Sequence, residues 1–334
     1  MDASSRILVT GGTGFFGRAL LRAWLDQYRS AVALPFVTVL TRSPATFLEC
    51  YPEFSGLSWL AFYEGDIGNR ESLPHGELFT HILHAAADST LGPQRSPLQR
   101  YDQIVDGTRN LLDFAVACGA QRFLLTSSGG VYGPQPEDVA KIPEDWLGMP
   151  DPLNPANAYG VGKLAAEHLC ALYHATHGID TVIARCFAFV GEDLPLDVHF
   201  AIGNFIRDAL WAEEIIVGGD GTPLRSYLDQ RDLAQWLLTL LAAGKPNRAY
   251  NVGSDQAISV AALARLVGEI VSPGKAVRIL GQAAGNSGRN IYVPDIRRAC
   301  EELGLVVTIP LEAAIAETAN AAVRRAESGG RECP

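Results

Sequence analysis

The sequence predicts an α/β fold: a doubly wound parallel sheet with helices on both faces, followed by a smaller C-terminal lobe. Two observations lead to this prediction. Short apolar segments alternate with longer segments of helical spacing through the first half of the 334-residue chain. A glycine-rich turn joins the first apolar segment to the first helical one. Near-continuous apolar strands joined by helices are typical of a parallel sheet of the Rossmann type.

The strands and helices of the first half follow from this alternation. Each strand is a short run that is apolar on both faces, as a strand inside a parallel sheet requires. Each helix is longer and repeats its apolar residues every three or four positions. The predicted strands are Ile7–Thr10, Phe36–Thr41, Ser58–Tyr63, His81–His84, Phe123–Ser127 and Thr181–Arg185, and the predicted helices are Phe15–Tyr28, Leu98–Cys118 and Tyr159–His177.

The pattern changes after about residue 190, where helices dominate. We expect a Rossmann domain over residues 1–185 and a mixed α/β lobe over residues 186–326, which interleaves with the first domain and is not independent. Residues 327–334 are predicted to form a flexible tail. The predicted helices are Phe200–Glu213, Arg231–Ala243, Val260–Val271 and Pro310–Arg325, and the predicted strands are Ile215–Val217, Tyr250–Val252 and Val277–Leu280.

Composition and charge exclude several classes of protein. With 48% hydrophobic and 19% charged residues, the chain has enough apolar material for a core and too little charge for a disordered protein. The formal net charge of −10 argues against a general grip on nucleic acid. We expect no leader and no membrane span, because the richest apolar run, Leu233–Ala243, is too short to cross a bilayer. The scattered cysteines predict reduced thiols in a cytoplasmic protein.

The turn after the first strand has the pattern of a dinucleotide site. It carries glycine at Gly11, Gly14 and Gly17 and opens the first helix. Glycine is needed there for a tight turn, for approach of the backbone to a pyrophosphate and for close packing. The helix N-terminus adds free N–H donors, so Phe15 and Phe16 are also candidate cofactor residues. An ordinary glycine-rich βα turn is the alternative.

The end of the second strand bears on which dinucleotide binds. A site that prefers NAD usually has a carboxylate at this position, which would repel a 2′-phosphate. Here the chain has Thr41, Arg42 and Ser43, which suit the phosphate of NADP. We therefore expect NADP, with NAD as the alternative if Arg42 is a solvated loop cation. Further candidate cofactor residues are Asp66 and Ile67 after the third strand and Ala85 and Ala86 after the fourth.

Three polar residues form a candidate catalytic set. Tyr159 and Lys163 are four positions apart, so they share one face of a helix. A nearby cation and the positive nicotinamide of a bound cofactor favour the phenolate of the tyrosine, which can then exchange a proton with substrate. Ser128 closes the fifth strand and can hydrogen-bond the same substrate oxygen. A surface Tyr–Lys pair that arose by chance is the alternative.

The chain resembles the extended short-chain dehydrogenase/reductase family, in its nucleotide-sugar epimerase/dehydratase branch. The resemblance runs from Gly11 to about Leu305. It implies hydride exchange between NAD(P) and C4 of a sugar attached to a nucleoside diphosphate, with Ser128, Tyr159 and Lys163 as the catalytic residues. The matching motifs are Gly11/Gly14/Gly17, His84-Ala85-Ala86, Gly107-Thr108-Arg109-Asn110-Leu111-Leu112, Ser127-Ser128…Val131-Tyr132-Gly133, Tyr159…Lys163, Arg185-Cys186-Phe187…Gly191, Gly219-Asp220-Gly221…Arg225-Ser226-Tyr227 and Tyr250-Asn251-Val252-Gly253.

The resemblance also implies where the nucleotide sugar binds. An arginine of the Gly-Asp-Gly…Arg segment contacts the diphosphate in the family, and this position is Arg225 here. A later arginine does the same, for which Arg289 is the candidate. Asn204, near the start of a lobe helix, is a candidate for the phosphate or base. Many relatives pair two helices of each chain into a four-helix interface, which implies a homodimer.

Two departures from the family pattern narrow the activity. Dehydratases of this branch carry an Asp-Glu pair that serves as acid and base for water elimination. Gly129 and Gly130 stand at those positions, so elimination by that route is not expected. Ile104 and Ala188 replace two asparagines that the family usually has, which changes the surroundings of Tyr159 and the sugar.

The sequence thus predicts an NADP-dependent enzyme that reduces a 4-keto-6-deoxy nucleotide sugar. One alternative is a C4 epimerase that retains its NAD(P), and another is a cofactor-binding regulator that has lost the chemistry. No metal site is expected, because His81 and His84 point to opposite faces of one strand.

Overall fold

The structure is a computed structural model that describes residues 3–30, 32–87, 95–281 and 290–327. Its strands in chain order are β1 (Arg6–Thr10), β2 (Phe36–Thr41), β3 (Leu60–Glu64), β4 (His81–His84), β5 (Arg122–Ser128), β6 (Asp180–Cys186), β7 (Phe189–Val190), β8 (Ile215–Val217), β9 (Leu224–Arg225), β10 (Leu228–Asp229), β11 (Arg248–Val252), β12 (Ile258–Ser259), β13 (Val277–Ile279) and β14 (Ile291–Tyr292). Its helices are α1 (Phe15–Arg29), α2 (Pro44–Cys50), α3 (Pro97–Ala117), α4 (Ala158–His177), α5 (Ala201–Trp211), α6 (Gln230–Ala243), α7 (Val260–Val271), α8 (Arg297–Leu303) and α9 (Leu311–Glu327).

A seven-stranded parallel sheet forms the centre of the fold. Its strand order is β11-β6-β5-β4-β1-β2-β3. The strands run parallel throughout, so their carboxyl ends lie along one edge. The order reverses between β1 and β4, and ligands of such sheets bind in the crevice outside the strand ends at that point. The predicted Rossmann-type fold is confirmed.

Helices cover both faces of this sheet because its strands are apolar on both sides. On one face α1 and α6 pack together, burying Trp24 and Trp236 beside Val9 of β1. On the other face α3 and α4 pack together, and Leu111 is buried in the cluster that contains Leu8 of β1. The alternation of Leu8 and Val9 thus fixes which residues meet which helix layer.

The C-terminal half contributes to both parts of the fold. The strand predicted at Tyr250–Val252 is the end of β11, which pairs with β6 as an outer strand of the large sheet. Helix α6, which precedes β11 in the chain, packs against α1 on one face of the same sheet. The remaining elements form a lobe in which α5, α7 and α9 bury Ile206, Val267 and Ile315 around the short β8–β13 pair. The division at residues 185 and 186 stays a prediction.

Several expectations change at the level of single elements. The sequence prediction missed α2, α8 and the two-residue strands of the lobe, because such short segments show no clear period. Among the described residues, Cys118, Cys170, Cys186 and Cys300 are free. Among the described residues, no helix is long and apolar enough to cross a membrane, and no cluster of side chains suits a metal ion.

Candidate functional site

The glycine turn between β1 and α1 leaves an open cradle at the carboxyl edge of the sheet. Gly11 has φ +72°, and a Cβ there would lie 2.5 Å from the Ala85 oxygen. A Cβ on Gly17 would lie 2.2 Å from the backbone of Gly12. Gly14, in contrast, is exposed and extended, and its added Cβ would meet nothing closer than the Gly11 oxygen at 3.5 Å. The space above Gly14 therefore fits the pyrophosphate of a dinucleotide, which glycine alone lets approach the backbone.

The two phenylalanines of this turn contribute backbone to the cradle. Phe15 and Phe16 pack their rings on Phe189, with the Phe16 and Phe189 centroids 5.1 Å apart. Their N–H groups belong to the first turn of α1 and have no acceptor within the helix. These N–H groups are the donors that the cradle offers to an anion.

A hydrogen-bonded chain ties the cradle to β4 and α3. The Thr10 hydroxyl lies 2.8 Å from Nδ1 of His84, and Nε2 of His84 lies 3.2 Å from the Thr108 hydroxyl. Because Thr108 donates its own proton to the Ile104 oxygen, it accepts from Nε2, and Nδ1 accepts from Thr10. Burial lowers the pKa of His84 to about 3, which keeps the ring neutral. The same hydrogen-bonded chain positions the predicted cofactor residue Ala86, because the Ala86 N–H donates to the Thr10 hydroxyl at 3.4 Å.

The predicted residues for the adenosine half lie at the ends of β2 and β3. Arg42 and Ser43 are exposed, and Ser43 precedes α2 without using its side chain as a cap. The Asp66 carboxylate is also exposed, although one oxygen already accepts from the Gly68 N–H at 2.8 Å. Ile67 is buried against Gly107, where a Cβ would lie 2.7 Å from its side chain. Ile67 therefore anchors the loop, and Asp66 and Arg42 face outward.

The three candidate catalytic residues meet beside β5. Ser128 is buried at the end of the strand, where its hydroxyl accepts from the Gly130 N–H at 3.1 Å and lies on the side of Tyr159. The Lys163 ammonium donates to the Thr126 oxygen at 2.7 Å and lies 6.0 Å from the centre of the Tyr159 ring. Burial lowers the pKa of Lys163 to about 8. Burial also raises the pKa of Tyr159, an effect that the Ser128 hydrogen bond and a nearby guanidinium oppose.

That guanidinium belongs to Arg100, which the sequence analysis did not identify. It lies 4.5 Å from the centre of the Tyr159 ring, closer than the Lys163 ammonium. Its Nε is buried without a hydrogen-bond partner in the described part of the chain. Burial, and after it the charge of Arg100, lowers the pKa of His199, so Arg100 also lies near the start of the C-terminal lobe. A cation in this position stabilises a phenolate at Tyr159.

The position that an acid would occupy in a dehydratase is filled by aromatic residues. A Cβ on Gly129 would lie 2.8 Å from the Phe187 ring and 2.8 Å from the Tyr292 hydroxyl. The two rings pack with centroids 4.6 Å apart. The Tyr292 hydroxyl donates to the Cys186 oxygen at 3.4 Å, and Tyr292 is a second residue that the sequence analysis missed.

An ion pair supports the strand end from behind. Glu167 accepts from the Ser127 hydroxyl at 2.5 Å and from Arg185 at 2.7 Å. Arg185 in turn packs over the Tyr132 ring, with 4.7 Å to its centre. Both charged side chains are largely buried. Ser127 thus has a structural role, which leaves Ser128 as the candidate catalytic hydroxyl at this strand end.

The predicted substrate residues separate into three cases. Arg225 lies 6.0 Å from the centre of the Tyr292 ring and donates to the Leu224 and Asn290 oxygens at 2.8 and 3.1 Å. Asn204 lines a cavity of about 290 Å³ beside His199 and the glycine-rich turn after β8. Arg289 lies outside the described residues. Arg225 therefore lies beside Tyr292, and Asn204 lies at the cavity.

The match to a known family agrees with this geometry. A model of the NAD dependent epimerase/dehydratase family matches residues 7–253, which include the glycine turn, Ser128, Tyr159, Lys163 and Arg225. The chain belongs to this family.

Its relatives in the epimerase/dehydratase family have several activities. UDP-glucuronic acid decarboxylase 1 of Xenopus tropicalis is 28% identical over 316 residues, 94% of this chain and 71% of the relative. A structure of RMD from Pseudomonas aeruginosa with NADPH is 26% identical, with a TM-score of 0.77 over 96% of this chain and 99% of that one. A UDP-glucose 4-epimerase from Thermotoga maritima with UDP-glucose has a TM-score of 0.78 at 24% identity, over 96% and 99% of the two chains.

Of the two residues that the sequence analysis missed, Arg100 could have been predicted from the sequence, whereas Tyr292 could not be predicted directly. Arg100 lies four positions before Ile104, so the two residues share one face of α3. That shared face could be predicted as soon as the helix was placed. Tyr292 comes from a two-residue strand that pairs with β9, and no local pattern predicts that pairing. The sequence signal for Tyr292 was indirect: two glycines next to a catalytic serine leave space that another residue fills.

Proposed function

We propose that this protein is an NADP-dependent reductase of a 4-keto-6-deoxy sugar that is attached to a nucleoside diphosphate. The observation that carries the proposal is the meeting of Ser128, Tyr159 and Lys163 at the end of β5, beside the glycine cradle. The bound dinucleotide would supply the hydride to C4 of the sugar. The residues of this chain would supply a proton and hold the reacting oxygen.

Tyr159 is the proposed proton donor to the C4 oxygen. Ser128 would orient that oxygen, since its side chain lies beside Tyr159 at the end of β5. The phenolate that remains on Tyr159 is stabilised by the Ser128 hydrogen bond and the Arg100 guanidinium. Lys163, held by the Thr126 oxygen, is proposed to bind the nicotinamide ribose. General acid catalysis of this kind contributes about 10²- to 10⁴-fold to a rate.

The substrate is proposed to extend from Tyr159 into the lobe. Arg225 would bind the diphosphate, because its guanidinium lies beside Tyr292 and pairs with no carboxylate among the described residues. The base would enter the cavity of about 290 Å³ that Asn204 and His199 line. Arg289 stays a candidate for a second diphosphate contact.

Reduction without elimination is favoured by the residues that follow Ser128. Gly129 and Gly130 offer neither acid nor base, and the space beside Gly129 is taken by Phe187 and Tyr292. A dehydratase of this family would need both groups to remove water. A substrate that is already a 4-keto-6-deoxy sugar needs neither.

The direction of the reaction is inferred from the cofactor. Arg42 and Ser43 are exposed at the end of β2, where a 2′-phosphate would lie, and the related RMD binds NADPH. NADPH serves as a consumable reductant, which suits a reductase. NAD remains the alternative cofactor, and a cytoplasmic homodimer remains the expected form of the enzyme.

A C4 epimerase is the second candidate, because it uses the same residues and retains its cofactor. The names of the decarboxylase relatives suggest a third outcome. Oxidation of a glucuronate at C4 makes a β-keto acid, which loses carbon dioxide readily. In both cases Tyr159 would first act as a base toward the C4 hydroxyl.

One assay separates these outcomes. The purified protein is incubated with a nucleoside-diphosphate 4-keto-6-deoxyhexose, UDP-glucose or UDP-glucuronate, each with and without added NADPH or NAD. Stoichiometric loss of NADPH with the keto sugar supports the reductase. Turnover of UDP-glucose without added cofactor indicates the epimerase, and carbon dioxide from UDP-glucuronate indicates the decarboxylase. If no substrate reacts, the non-catalytic alternative is favoured. If Tyr159→Phe reacts as fast as wild type, the protein is an enzyme but Tyr159 is not its proton donor.

A further inference from the structure

Two consecutive residues at the end of β5 bind side chains of helix α4. The Thr126 oxygen accepts from the Lys163 ammonium at 2.7 Å, and the Ser127 hydroxyl donates to the Glu167 carboxylate at 2.5 Å. Lys163 and Glu167 lie four positions apart, so they share one face of the helix. The strand end that carries Ser128 is thus fastened to the helix that carries the other two candidate catalytic residues.

The Glu167 carboxylate also binds the neighbouring strand. Ser127 of β5 and Arg185 of β6 are register partners, so their side chains lie next to each other on the same face of the sheet. The Arg185 guanidinium donates to the two carboxylate oxygens from Nε, at 3.1 and 3.2 Å, and to one of them from Nη2 at 2.7 Å. One carboxylate therefore joins β5, β6 and α4 at a single point.

The end of β5 depends on this link because it has a neighbouring strand on one side only. Strand β4 ends at His84, which pairs with Leu125, so within the described sheet residues 126–128 pair with β6 alone. The side chains of Glu167 and Arg185 are only 10% and 14% exposed, so water does not readily replace their hydrogen bonds. A buried hydrogen bond to a carboxylate is also stronger than one between neutral groups.

We propose that Glu167 is a positioning residue that fixes α4 against the end of β5, and with it the placement of Tyr159 relative to Ser128. Its carboxylate acts through the strand and the helix, which carry the groups that are proposed to touch the substrate. The proposal rests on the proposed function for its catalytic meaning, whereas the links themselves exist without substrate. A misplacement of about 1 Å in such a site can cost about 100-fold in rate.

Two variants break the link in different ways. Ser127→Ala removes the hydrogen bond to β5 and keeps the buried ion pair between Glu167 and Arg185. Glu167→Gln removes the charge, and because glutamine has one acceptor oxygen, its amide nitrogen must face a donor. It also leaves the buried Arg185 charge without a partner, which destabilises a fold strongly. Ser127→Ala is therefore the main variant, and thermal unfolding of each protein is measured first.

Tyr173→Phe is the matched control. Tyr173 lies on the same helix, and its hydroxyl donates to the Asp113 carboxylate of α3 at 2.5 Å, the same distance as between Ser127 and Glu167. The control thus removes a hydroxyl–carboxylate hydrogen bond that joins α4 to another helix instead of to the sheet.

The first measurement reads the position of the strand end without substrate. Lysine labelled with ¹³C at Cε is incorporated, the Lys163 signal is assigned with Lys163→Met, and its titration midpoint is followed by NMR. Burial lowers the pKa of Lys163 to about 8, which such a titration covers. If the Thr126 oxygen moves away, it stabilises the ammonium less, so the midpoint should fall in Ser127→Ala and stay in place in Tyr173→Phe. The ionisable groups that act on Lys163 are unchanged in both variants, and they are His84, Tyr159, Glu167, Cys170 and Cys186.

The second measurement is the kinetics of each folded variant, well below its melting temperature, with the keto sugar and NADPH. We expect Ser127→Ala to lower kcat about 10- to 100-fold with KM changed less than about twofold, and Tyr173→Phe to stay within about twofold of wild type in both. The double variant Ser127→Ala/Glu167→Gln should be no slower than Glu167→Gln alone, because both changes remove the same contact.

An unchanged Lys163 midpoint in Ser127→Ala, or an equal fall in Tyr173→Phe, overturns the proposal. A higher KM with unchanged kcat in Ser127→Ala does so too, because the change would then act on substrate binding. Losses that multiply in the double variant would also overturn it, because Ser127 and Glu167 would then act independently. Failure of the proposed function is recognised separately: wild type would not reduce the keto sugar, while the Lys163 midpoint would still fall in Ser127→Ala.

Discussion

The glycine cradle offers a paired prediction in which two similar substitutions have opposite consequences. In Gly17→Ala, the new Cβ would lie 2.2 Å from the backbone of Gly12, where ordinary contacts are 3.4–4 Å. Backbone atoms must therefore move by more than about 1 Å, and overpacking of this kind costs about 1–3 kcal/mol. In Gly14→Ala, the backbone is already extended and the new methyl group meets only the Gly11 oxygen at 3.5 Å.

The measured effects should separate folding from cofactor binding. Gly17→Ala should lower the melting temperature of the cofactor-free protein by about 2–12 °C, at the about 2–4 °C per kcal/mol that holds for domains of about 150–250 residues. Gly14→Ala should melt within about 1 °C of wild type. However, it should bind NADPH at least about tenfold more weakly, because its methyl group takes the space that the pyrophosphate needs. Thermal unfolding and calorimetric titration with NADPH measure the two effects.

Each variant is the control for the other. If Gly14→Ala binds NADPH as tightly as wild type, the cofactor does not lie in this cradle. If Gly14→Ala melts as low as Gly17→Ala, the open space at Gly14 is not real, and the reasoning from Cβ distances fails.

Three further predictions concern charged and titrating residues. Arg42→Ala should weaken NADPH binding by about 10- to 100-fold and leave NADH unchanged in a fluorescence titration, and equal losses for both would defeat the 2′-phosphate assignment. His84 has a pKa of about 3 in the fold against 6.5 unfolded, so the unfolded chain binds the extra proton between these values. The free energy of unfolding should then fall as pH drops below about 6.5, by less in His84→Gln, and equal free energies of unfolding in urea at pH 7.5 and pH 5 would contradict this. Arg100→Gln should raise the titration midpoint of Tyr159, measured by NMR with tyrosine labelled with ¹³C at Cζ, and Arg100→Lys should restore it, whereas equal midpoints would remove Arg100 from the site.

The sequence was sufficient for the parts of the fold whose signals are local. The apolar strands of the large sheet have strong periods, and α7 begins and ends at the predicted Val260 and Val271. The glycine turn was predicted residue by residue because each glycine answers a separate steric need, which the Cβ distances at Gly11 and Gly17 bear out. For the sheet strands, α7 and the glycine turn, the local sequence was therefore enough to predict the local structure.

The rest depended on contacts between distant parts of the chain. The strand β11 joins β6 in the large sheet although its sequence reads as part of the lobe, since pairing partners are not encoded locally. Tyr292 reaches the space beside Gly129 from a distant part of the chain, through a strand of two residues. Arg100 was passed over because one arginine on a helix surface is ordinarily solvated. Its buried Nε is visible only in the fold.

Transfer of a deuterium label tests the central claim most directly. The protein is incubated with a nucleoside-diphosphate 4-keto-6-deoxyhexose and NADPH that carries deuterium in the transferred position of the nicotinamide, and the sugar product is examined by NMR. Reduction at C4, with Tyr159 as the proton donor, predicts one deuterium at C4 and none elsewhere, with the label absent when Tyr159→Phe is used. A product without deuterium, or with deuterium at a carbon other than C4, would contradict it.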